Sequence, residues 1–437
     1  MIPIETDVAV LGGGPAGISA ALTAAHHDLA VTLVEAGPVG GDRALLTWRV
    51  LEQTVDRHVA RGSADRDAVW AQCRAEVARL SLLREERLRL RLADAGVDVV
   101  HGRGRFSSGT ELTVEGASSV RFERAIIATG GEPKLVWELP ASPRLVTPVS
   151  LGELQELPER IMVIGGGAAG AELVDSLSRM NGVEVEWVMD EYGMLPRFER
   201  ELADALGDVL LGRGVRLVHD KAVRRVTADE GHAQVVLEGG STYDAPLIVL
   251  CAGSSPSLEG LGLATLGLDD LRVDENLRTT AEHIWAAGEC TGRCQSASHA
   301  EAMGRTAGLR AAGAAARPWA PARIPLVVHT HPQLAQVGST PERLIGRNVL
   351  LHTTRTEESL FGLLRGVGES LDEKGFARLV CDSDTGEVLG MSAAGPGAAE
   401  AAGAAAIALG LGASDETLAE VHVDVLGPLA GWLAAIR

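Results

Sequence analysis

The chain has 437 residues, 46% of them hydrophobic, and a formal net charge of −19, so it is long enough for two or three domains with cores of their own. The acidic charge argues against nucleic acid and anionic membrane surfaces as partners, because both would repel the protein. Its five cysteines are an odd number and widely scattered, which is typical of free thiols in a reducing compartment. The first residues carry no basic, signal-like segment, and no apolar run is long enough to span a bilayer. We therefore expect a cytoplasmic protein without membrane insertion.

The first predicted elements are a strand, a helix and a second strand around a glycine-rich turn. Apolar residues 8–11 lead directly into a G-x-G-x-x-G pattern at residues 12–17, and the second strand, residues 30–34, is closed by Glu35. In such a unit Gly12 permits the tight turn, Gly14 lets backbone N–H groups approach a pyrophosphate, and Gly17 lets helix and strand pack closely. Glu35 would accept hydrogen bonds from a ribose hydroxyl, so the unit predicts a dinucleotide site. The predicted contacts are Gly12, Gly14, Pro15, Ala16, Gly17, Glu35 and Ala36.

The same pattern returns about 150 residues further along the chain. A predicted strand at 160–164 is followed by the glycine spacing at 165–170, a helix at 171–180 and a strand at 183–188. Two such units in one chain suggest two dinucleotides in one enzyme, with FAD at the N-terminal site and NAD(P)H at the inserted one. The predicted contacts of the second site are Gly165, Gly167, Gly170 and Asp190.

Three further predicted strands end in turns of small residues, at 125–133, 247–256 and 284–289. An alanine-rich helix is predicted over residues 299–315. Beyond about residue 323, antiparallel strands with a hairpin at 384–386 predict a separate α+β domain. The turns supply the remaining predicted cofactor contacts, Ala128, Thr129, Gly130, Gly253, Gly288 and Glu289.

Over essentially its whole length the sequence resembles the pyridine-nucleotide disulfide oxidoreductases, the group of dihydrolipoamide dehydrogenase and glutathione reductase. The resemblance rests on both glycine-rich turns, on the junction at 128–130, and on the motifs at 287–289 and 330–332. It implies an α/β protein with two Rossmann-like dinucleotide-binding domains, for FAD and NAD(P), and an α+β C-terminal dimerisation domain. The implied boundaries are 1–147 and 263–320 for the FAD domain, 148–262 for the NAD(P) domain and 321–437 for the dimerisation domain. A homodimer is accordingly expected.

Two features that a disulfide reductase of this family requires are missing. The family places a C-x4-C pair after the Gly-Gly that follows the acidic strand end, and here Arg43 and Trp48 stand at those positions. The first cysteine anywhere in the chain is Cys73. The family's C-terminal catalytic histidine, which acts from the partner subunit, is replaced by Asp424, two residues after His422. Disulfide reduction needs the thiolate and the imidazole, so this activity is not expected.

The residues at the lost thiol positions have several candidate roles. The resemblance places Trp48 beside the flavin ring, where the indole would stack on the ring, form a wall of a flat pocket, or only fill space. Arg43 would stabilise negative charge on reduced flavin or on an acceptor, or be an ordinary surface arginine. Cys290 and Cys294 form C-x3-C, for which a structural role is favoured over a redox role.

The nicotinamide half departs from the family less. Glu172 matches a family glutamate near the nicotinamide carboxamide, whereas Ala168 stands where the family has an aromatic residue. The lysine that follows the thiols in the family becomes Glu52 in this register. The second unit ends in Asp190 and Glu191 without an arginine, which favours NADH over NADPH because a 2′-phosphate would be repelled there.

Three functional hypotheses remain open at this point. The favoured one is an FAD-dependent NAD(P)H oxidoreductase with a small-molecule, quinone-like acceptor in place of a disulfide. The second is an FAD-dependent dehydrogenase or reductase of a dedicated metabolite of secondary metabolism, with His422 or Asp424 of the partner subunit lining a remodelled pocket. The third is a non-catalytic flavin-binding partner subunit, against which the intact glycines of both turns argue.

Overall fold

A computed structural model describes residues 2–41, 44–134, 142–219, 222–229, 231–294, 296–355 and 375–421. The chain forms two compact units. The first unit takes its residues from 1–46, 76–134 and 254–321, and the second from 47–75, 135–253 and 322–437. Among the described residues, no helix combines the length and the apolar character needed to cross a membrane.

Each unit contains both strands and helices. The strands are β1 (Ile4–Leu11), β2 (Val31–Glu35), β3 (Val97–His101), β4 (Gly104–Ser108), β5 (Glu111–Val114), β6 (Val120–Ile127), β7 (Gly131–Pro133), β8 (Leu145–Val146), β9 (Arg160–Ile164), β10 (Glu184–Val188), β11 (Arg216–Val218), β12 (Val223–Ala228), β13 (Ala233–Leu237), β14 (Thr242–Ala245), β15 (Leu247–Leu250), β16 (Ser254–Pro256), β17 (Ile284–Ala286), β18 (Leu326–Val328), β19 (Leu334–Gly338), β20 (Val349–Arg355), β21 (Phe376–Asp382) and β22 (Val388–Ala394). The helices are α1 (Pro15–Ala25), α2 (Ala44–Val59), α3 (Arg66–Asp94), α4 (Pro148–Leu151), α5 (Ala168–Ser178), α6 (Arg200–Gly212), α7 (Ala297–Ala311), α8 (Ala398–Leu411) and α9 (Asp415–Ala419).

The first unit is built on a seven-stranded sheet with the order β3-β2-β1-β6-β5-β4, in which β17 pairs with β6. Strand β1 lies between β2 and β6 and is parallel to both, with Val8 opposite Val31 and Ala9 opposite Ala125. The apolar run that predicts β1 is buried because helices of a parallel sheet cover both of its faces. Helix α1 packs closely against α7, since a Cβ atom on Gly304 would lie 2.0 Å from the carbonyl oxygen of Ala16.

The second unit contains a five-stranded parallel sheet with the order β11-β10-β9-β15-β8 and a three-stranded antiparallel sheet, β12-β13-β14. Its last part is a five-stranded antiparallel sheet with the order β18-β19-β22-β21-β20. Helix α8 packs on that sheet through a row of buried alanines. The predicted architecture of two dinucleotide-binding folds and an α+β domain is thereby confirmed.

Two predicted elements differ in detail. The strand predicted to end in a small-residue turn within 247–256 is β15, and after the turn, where Gly253 has a φ of +91°, the chain forms the further short strand β16. The predicted helix at 299–315 runs over Ala297–Ala311 and ends before Gly313, whose φ is +72°. The hairpin predicted at 384–386 joins β21 and β22, with Gly386 at a φ of +68°.

Candidate functional site

In the first glycine-rich turn, backbone atoms pack so closely against two of the three glycines that no side chain fits there. Gly12 has a φ of +102°, and a Cβ atom there would lie 2.2 Å from the carbonyl oxygen of Ala128. A Cβ atom on Gly17 would lie 1.7 Å from the carbonyl oxygen of Gly12. Among the described residues, the nearest atom to a Cβ atom on Gly14 would be the Cα atom of Gly41, at 4.0 Å. The middle glycine therefore leaves open space in front of the start of α1.

The other predicted contacts of the first unit gather around this turn. The carboxylate of Glu35 accepts hydrogen bonds from the backbone N–H groups of Gly13 and Gly37, which fixes it at the end of β2. Ala128 donates its N–H to the carbonyl oxygen of Leu11, and Gly288 approaches Ala16 so closely that a Cβ atom would lie 3.0 Å from that side chain. The predicted contacts Pro15, Ala36, Thr129, Gly130 and Glu289 belong to the same turns, at the ends of β2, β6 and β17 and the start of α1.

The second glycine-rich turn repeats this geometry. Gly165 has a φ of +118°, and a Cβ atom there would lie 2.3 Å from the carbonyl oxygen of Cys251. A Cβ atom on Gly170 would lie 2.2 Å from the carbonyl oxygen of Gly165, whereas one on Gly167 would meet nothing within 4 Å. Gly253 is equally open. Asp190 is exposed two residues beyond β10 and accepts the N–H of Tyr192 at 3.1 Å.

Both turns have the features that a dinucleotide pyrophosphate requires. The N-cap residues of α1 and α5 are Gly14 and Gly167, and neither helix has a side-chain cap hydrogen bond. The first N–H groups of each helix are thus without the side-chain acceptor that many helices place there. With open space at the middle glycine, they form a site for phosphate oxygens at the positive end of the helix dipole. The residues present therefore fit a dinucleotide pyrophosphate at each of the two turns.

A buried carboxylate follows the second turn within the second unit. Glu172 on α5 is 7% exposed, and its Oε1 accepts hydrogen bonds from Nη2 of Arg49 at 2.5 Å and from the N–H of His329 at 2.8 Å. Burial raises the pKa of Glu172, and the charge of Arg49 and these hydrogen bonds oppose that effect. Burial and the nearby Arg49 also lower the pKa of His329 to about 4, so this imidazole is neutral near pH 7.

Arg49 was not recognised as a site residue from the sequence. When the sequence is compared with the family, Glu52 occupies the position of the family's lysine. The sequence therefore predicts no positive charge at that position of α2. In the structure Arg49 lies one turn earlier on the same helix, pairs with Glu52 at 2.8 Å and extends its other terminal nitrogen to Glu172. The spacing of three residues between Arg49 and Glu52 was the only local signal, and it says nothing about Glu172, which lies 123 positions further along the chain.

A second buried carboxylate lies one turn further along α5. Asp175 is fully buried and accepts hydrogen bonds from Nη1 of Arg213 at 2.8 Å and from the N–H of His331 at 3.0 Å. Its other oxygen lies 3.2 Å from Nδ1 of His331 and 3.4 Å from Nε of Arg179. Burial acts to raise the pKa of Asp175, but the His331 hydrogen bond and the two arginine charges outweigh it and hold that pKa below its usual value.

Trp48 lies on α2, next to Arg49, and is partly exposed. Its indole Nε1 is buried and has no hydrogen-bond partner in the part of the chain that the structure describes. A buried donor without an acceptor is costly, so this atom fits a site in which a bound group supplies the acceptor. The other residues predicted around the reacting centre, Arg43, His422 and Asp424, lie outside the described residues.

None of the five cysteines forms a disulfide bond. Burial raises the pKa of Cys73 to about 12, and this thiol points to the carbonyl oxygen of Thr47. Burial likewise raises the pKa of Cys290 to about 12, and its thiol donates to the carbonyl oxygen of Ala287 at 3.2 Å. Cys290 is thus a packed, protonated residue, which supports the structural role favoured for it.

Comparisons with known proteins agree with this geometry. The family model described as pyridine nucleotide-disulphide oxidoreductase matches residues 6–304, and the model of the dimerisation domain of the same group matches residues 324–423. An NAD(P)H dehydrogenase (quinone) of Mycobacterium tuberculosis (strain CDC 1551 / Oshkosh) is 29% identical, over 90% of this chain and 86% of its own length. A dihydrolipoyl dehydrogenase of Pseudomonas aeruginosa is 28% identical, over 95% of this chain and 93% of its own. The crystal structure of LpdA from Mycobacterium tuberculosis superposes with a TM-score of 0.90 at 26% identity and 99% coverage of both chains.

Proposed function

Because the chain belongs to the pyridine nucleotide-disulphide oxidoreductase family, we propose that it passes electrons from NADH through FAD to a quinone-like acceptor and not to a disulfide. The family assignment supports an oxidoreductase that binds FAD and a pyridine nucleotide. We choose NADH over NADPH because Asp190 and Glu191, after β10, are exposed acids. We choose a quinone-like acceptor because the chain has no cysteine pair before Cys73.

The observation that carries the proposal is the chemistry of the cysteines. No cysteine precedes Cys73, and that thiol is single, buried and has a pKa raised to about 12 by its burial. A disulfide reductase needs a pair of thiols of which one is a thiolate near neutral pH. A quinone accepts electrons from reduced flavin without such a relay. The similarity to a protein named NAD(P)H dehydrogenase (quinone) supports the same acceptor class.

The residues around the proposed nicotinamide site orient the ligand and do not react. When both groups are bound, the nicotinamide supplies a hydride equivalent and FAD converts it into electrons for the acceptor. Gly165 and Gly170 shape the turn, Gly167 would leave room for the pyrophosphate, and Glu172 would accept a hydrogen bond from the carboxamide. Arg49 opposes the rise that burial causes in the pKa of Glu172, and its hydrogen bond helps to hold the carboxylate in place as an acceptor.

We also propose that the Nε1 of Trp48 donates to a bound acceptor, while its indole limits the pocket to flat ligands. The C-terminal match to a dimerisation domain supports a homodimer. In that assembly His422 or Asp424 of the partner subunit would complete the acceptor pocket.

An anaerobic titration of the flavoprotein with NADH, followed by flavin absorbance, tests the first half of the proposal. We expect bleaching by one equivalent of NADH without a thiolate–flavin charge-transfer band. Reoxidation by menadione should then be fast, and reoxidation by lipoamide or glutathione disulfide should be absent. Faster turnover with a disulfide than with the quinone would overturn the proposal. Slow reoxidation by all quinones and dyes would instead favour a dedicated metabolite as the acceptor.

The second glycine-rich turn offers a matched pair of variants. Gly167→Ala adds a methyl group where the protein has no atom within 4 Å and where φ is −76°, so the fold should tolerate it. We expect the dissociation constant for NADH to rise about tenfold or more, because the methyl group occupies the space of the pyrophosphate. The flavin spectrum should not change. Gly403→Ala on α8, equally without neighbours within 4 Å, is the control and should leave NADH binding as it is. Equal NADH affinity in both variants would place the nicotinamide elsewhere.

A further inference from the structure

A histidine, a cysteine and an aspartate meet in the C-terminal antiparallel sheet, on elements that carry none of the predicted site residues. They are His352 on β20, Cys381 on β21 and Asp415 at the start of α9. The Nε2 atom of His352 lies 3.0 Å from Oδ2 of Asp415, and the three potential ligand atoms all lie within 4.8 Å of one another.

The strand register brings the first two residues together. Strands β20 and β21 are antiparallel, with Leu350 opposite Cys381 and His352 opposite Leu379. His352 and Cys381 are therefore diagonal neighbours on one face of the sheet, the arrangement in which long side chains reach each other. Cys381 is fully buried, and the side chains of His352 and Asp415 are 18% and 14% exposed.

The hairpin between β21 and β22 fixes the third residue. The N–H of Asp415 donates to the carbonyl oxygen of Gly386 at 3.0 Å, and Glu387 forms an isolated bridge with Ser414. Gly386 is in the left-handed region, and a Cβ atom there would lie 2.4 Å from Oδ1 of Asp415. The carboxylate of Asp415 can lie this close to the hairpin only because residue 386 is a glycine. The backbone hydrogen bond to Gly386 also positions Asp415 independently of its contact with the imidazole of His352.

We propose that His352, Cys381 and Asp415 form a binding site for a zinc ion. An imidazole nitrogen, a thiolate sulfur and a carboxylate oxygen are the three donor types that Zn²⁺ takes in proteins, and a water would occupy the fourth position. Ligand bond lengths of about 2.0–2.3 Å put neighbouring donors of a tetrahedral site roughly 3.3–3.6 Å apart. Because the three atoms lie within 4.8 Å of one another, the widest separation must close by no more than about 1 Å.

Binding is a ligand exchange without redox change. The Cys381 thiol releases its proton to solvent as the sulfur–zinc bond forms, and His352 binds through Nε2 with its proton on Nδ1. Asp415 exchanges its contact with the imidazole for a bond to the metal. The ion would then link the edge strand β20, its neighbour β21 and helix α9, which stabilises this corner of the domain.

Cobalt is the probe that tests the site. The full-length flavoprotein, purified without a histidine tag and treated with a chelator, is titrated with Co²⁺. We expect a thiolate-to-cobalt charge-transfer band and visible bands of a four-coordinate ion at one equivalent, both removed by added Zn²⁺. Cys381→Ser should abolish the charge-transfer band. Asp415→Asn, a partly exposed and milder change, should weaken binding roughly 10–100-fold. Cys294→Ser is the control and should keep the full signal.

A second readout covers the case in which Cys381→Ser does not fold. Zinc should raise the midpoint of thermal unfolding of the native chain and of Cys294→Ser, but not that of His352→Gln. No charge-transfer band in the native chain, or an unchanged band in Cys381→Ser, would overturn the proposal. A zinc-induced stabilisation that persists in both His352→Gln and Asp415→Asn would do the same. The His352–Asp415 contact would then be an ordinary link between β20 and α9.

Discussion

The two glycine-rich turns have nearly the same backbone, yet the helices that follow them differ in charge. The buried face of α1 consists of alanine, glycine and isoleucine only. The buried face of α5 contains Glu172 and Asp175, one helical turn apart. Phosphate binding uses backbone N–H groups and therefore makes no demand on the buried side chains of the helix. The first helix is free to pack against α7, whereas the second has buried acids that need partners.

The two dinucleotide-binding folds thus share their backbone and differ in the buried side chains of the helix that follows the turn. A buried carboxylate is destabilising unless opposite charges and hydrogen bonds compensate its desolvation. On α5 the compensation comes from Arg49 on α2, from Arg213 after α6 and from the backbone of residues 329–331. These partners join three segments of the second unit to one helix. The next three predictions test whether the acids of α5 hold this unit together or serve the ligand.

The largest effect is expected from Asp175→Ala. The change leaves Arg179 and Arg213 partly buried without their shared carboxylate, and breaking such a group costs about 3–5 kcal/mol of unfolding free energy. Urea unfolding followed by circular dichroism measures it. Asp204→Ala on α6, whose side chain is 68% exposed, is the matched control and should cost less than about 0.5 kcal/mol. Similar losses in both variants would show that the buried network does not stabilise the unit.

Arg49→Met should have a smaller effect on stability and a larger one on chemistry. Arg49 is 24% exposed, so its loss should cost about 2 kcal/mol of unfolding free energy. The rate of flavin reduction by NADH should fall about tenfold or more, because removing the charge of Arg49 raises the pKa of the buried Glu172 further and removes a group that positions it. Arg49→Lys preserves the cation and should recover much of that rate. If stopped-flow reduction is equally fast in Arg49→Met, the pair has no part in nicotinamide orientation.

The smallest effect is a pH dependence of opposite sign at the two acids. The pKa of Glu172 is raised by burial, so its contribution to stability is complete below the unfolded value of about 4.3 and declines as pH rises through the folded pKa. The pKa of Asp175 is lowered in spite of its burial, chiefly by its hydrogen bond with His331. Its contribution is therefore present above about pH 3.9 and declines as pH falls.

Unfolding free energies measured from about pH 3 to 7 resolve the two slopes. Relative to the native chain, Glu172→Gln should gain stability as pH rises, and Asp175→Asn should gain it as pH falls. Slopes of the same sign in the two variants would contradict the assignment of the pKa shifts.

Much of the fold follows from local sequence signals. The two glycine spacings, the buried strands before them and the acids after them lie within windows of about 30 residues, so the two dinucleotide folds could be predicted without tertiary information. The absence of a thiol before Cys73 is equally a property of the chain alone. Helix α3, with 29 residues, was not predicted, because its charged and apolar residues follow no clear amphipathic period.

The sequence by itself thus determined the fold class, the family and the absence of a cysteine pair before Cys73, since each depends on residue types at short spacing. Only the tertiary structure decided which charges meet. Arg49 and Glu172 are 123 positions apart in the chain. Their pairing places a positive charge beside Glu52, where the comparison with the family predicts only a negative one. The cluster of His352, Cys381 and Asp415 likewise depends on a strand register and on a close approach at Gly386. Contacts between distant segments carry no local signature, because they are fixed by packing and not by spacing along the chain.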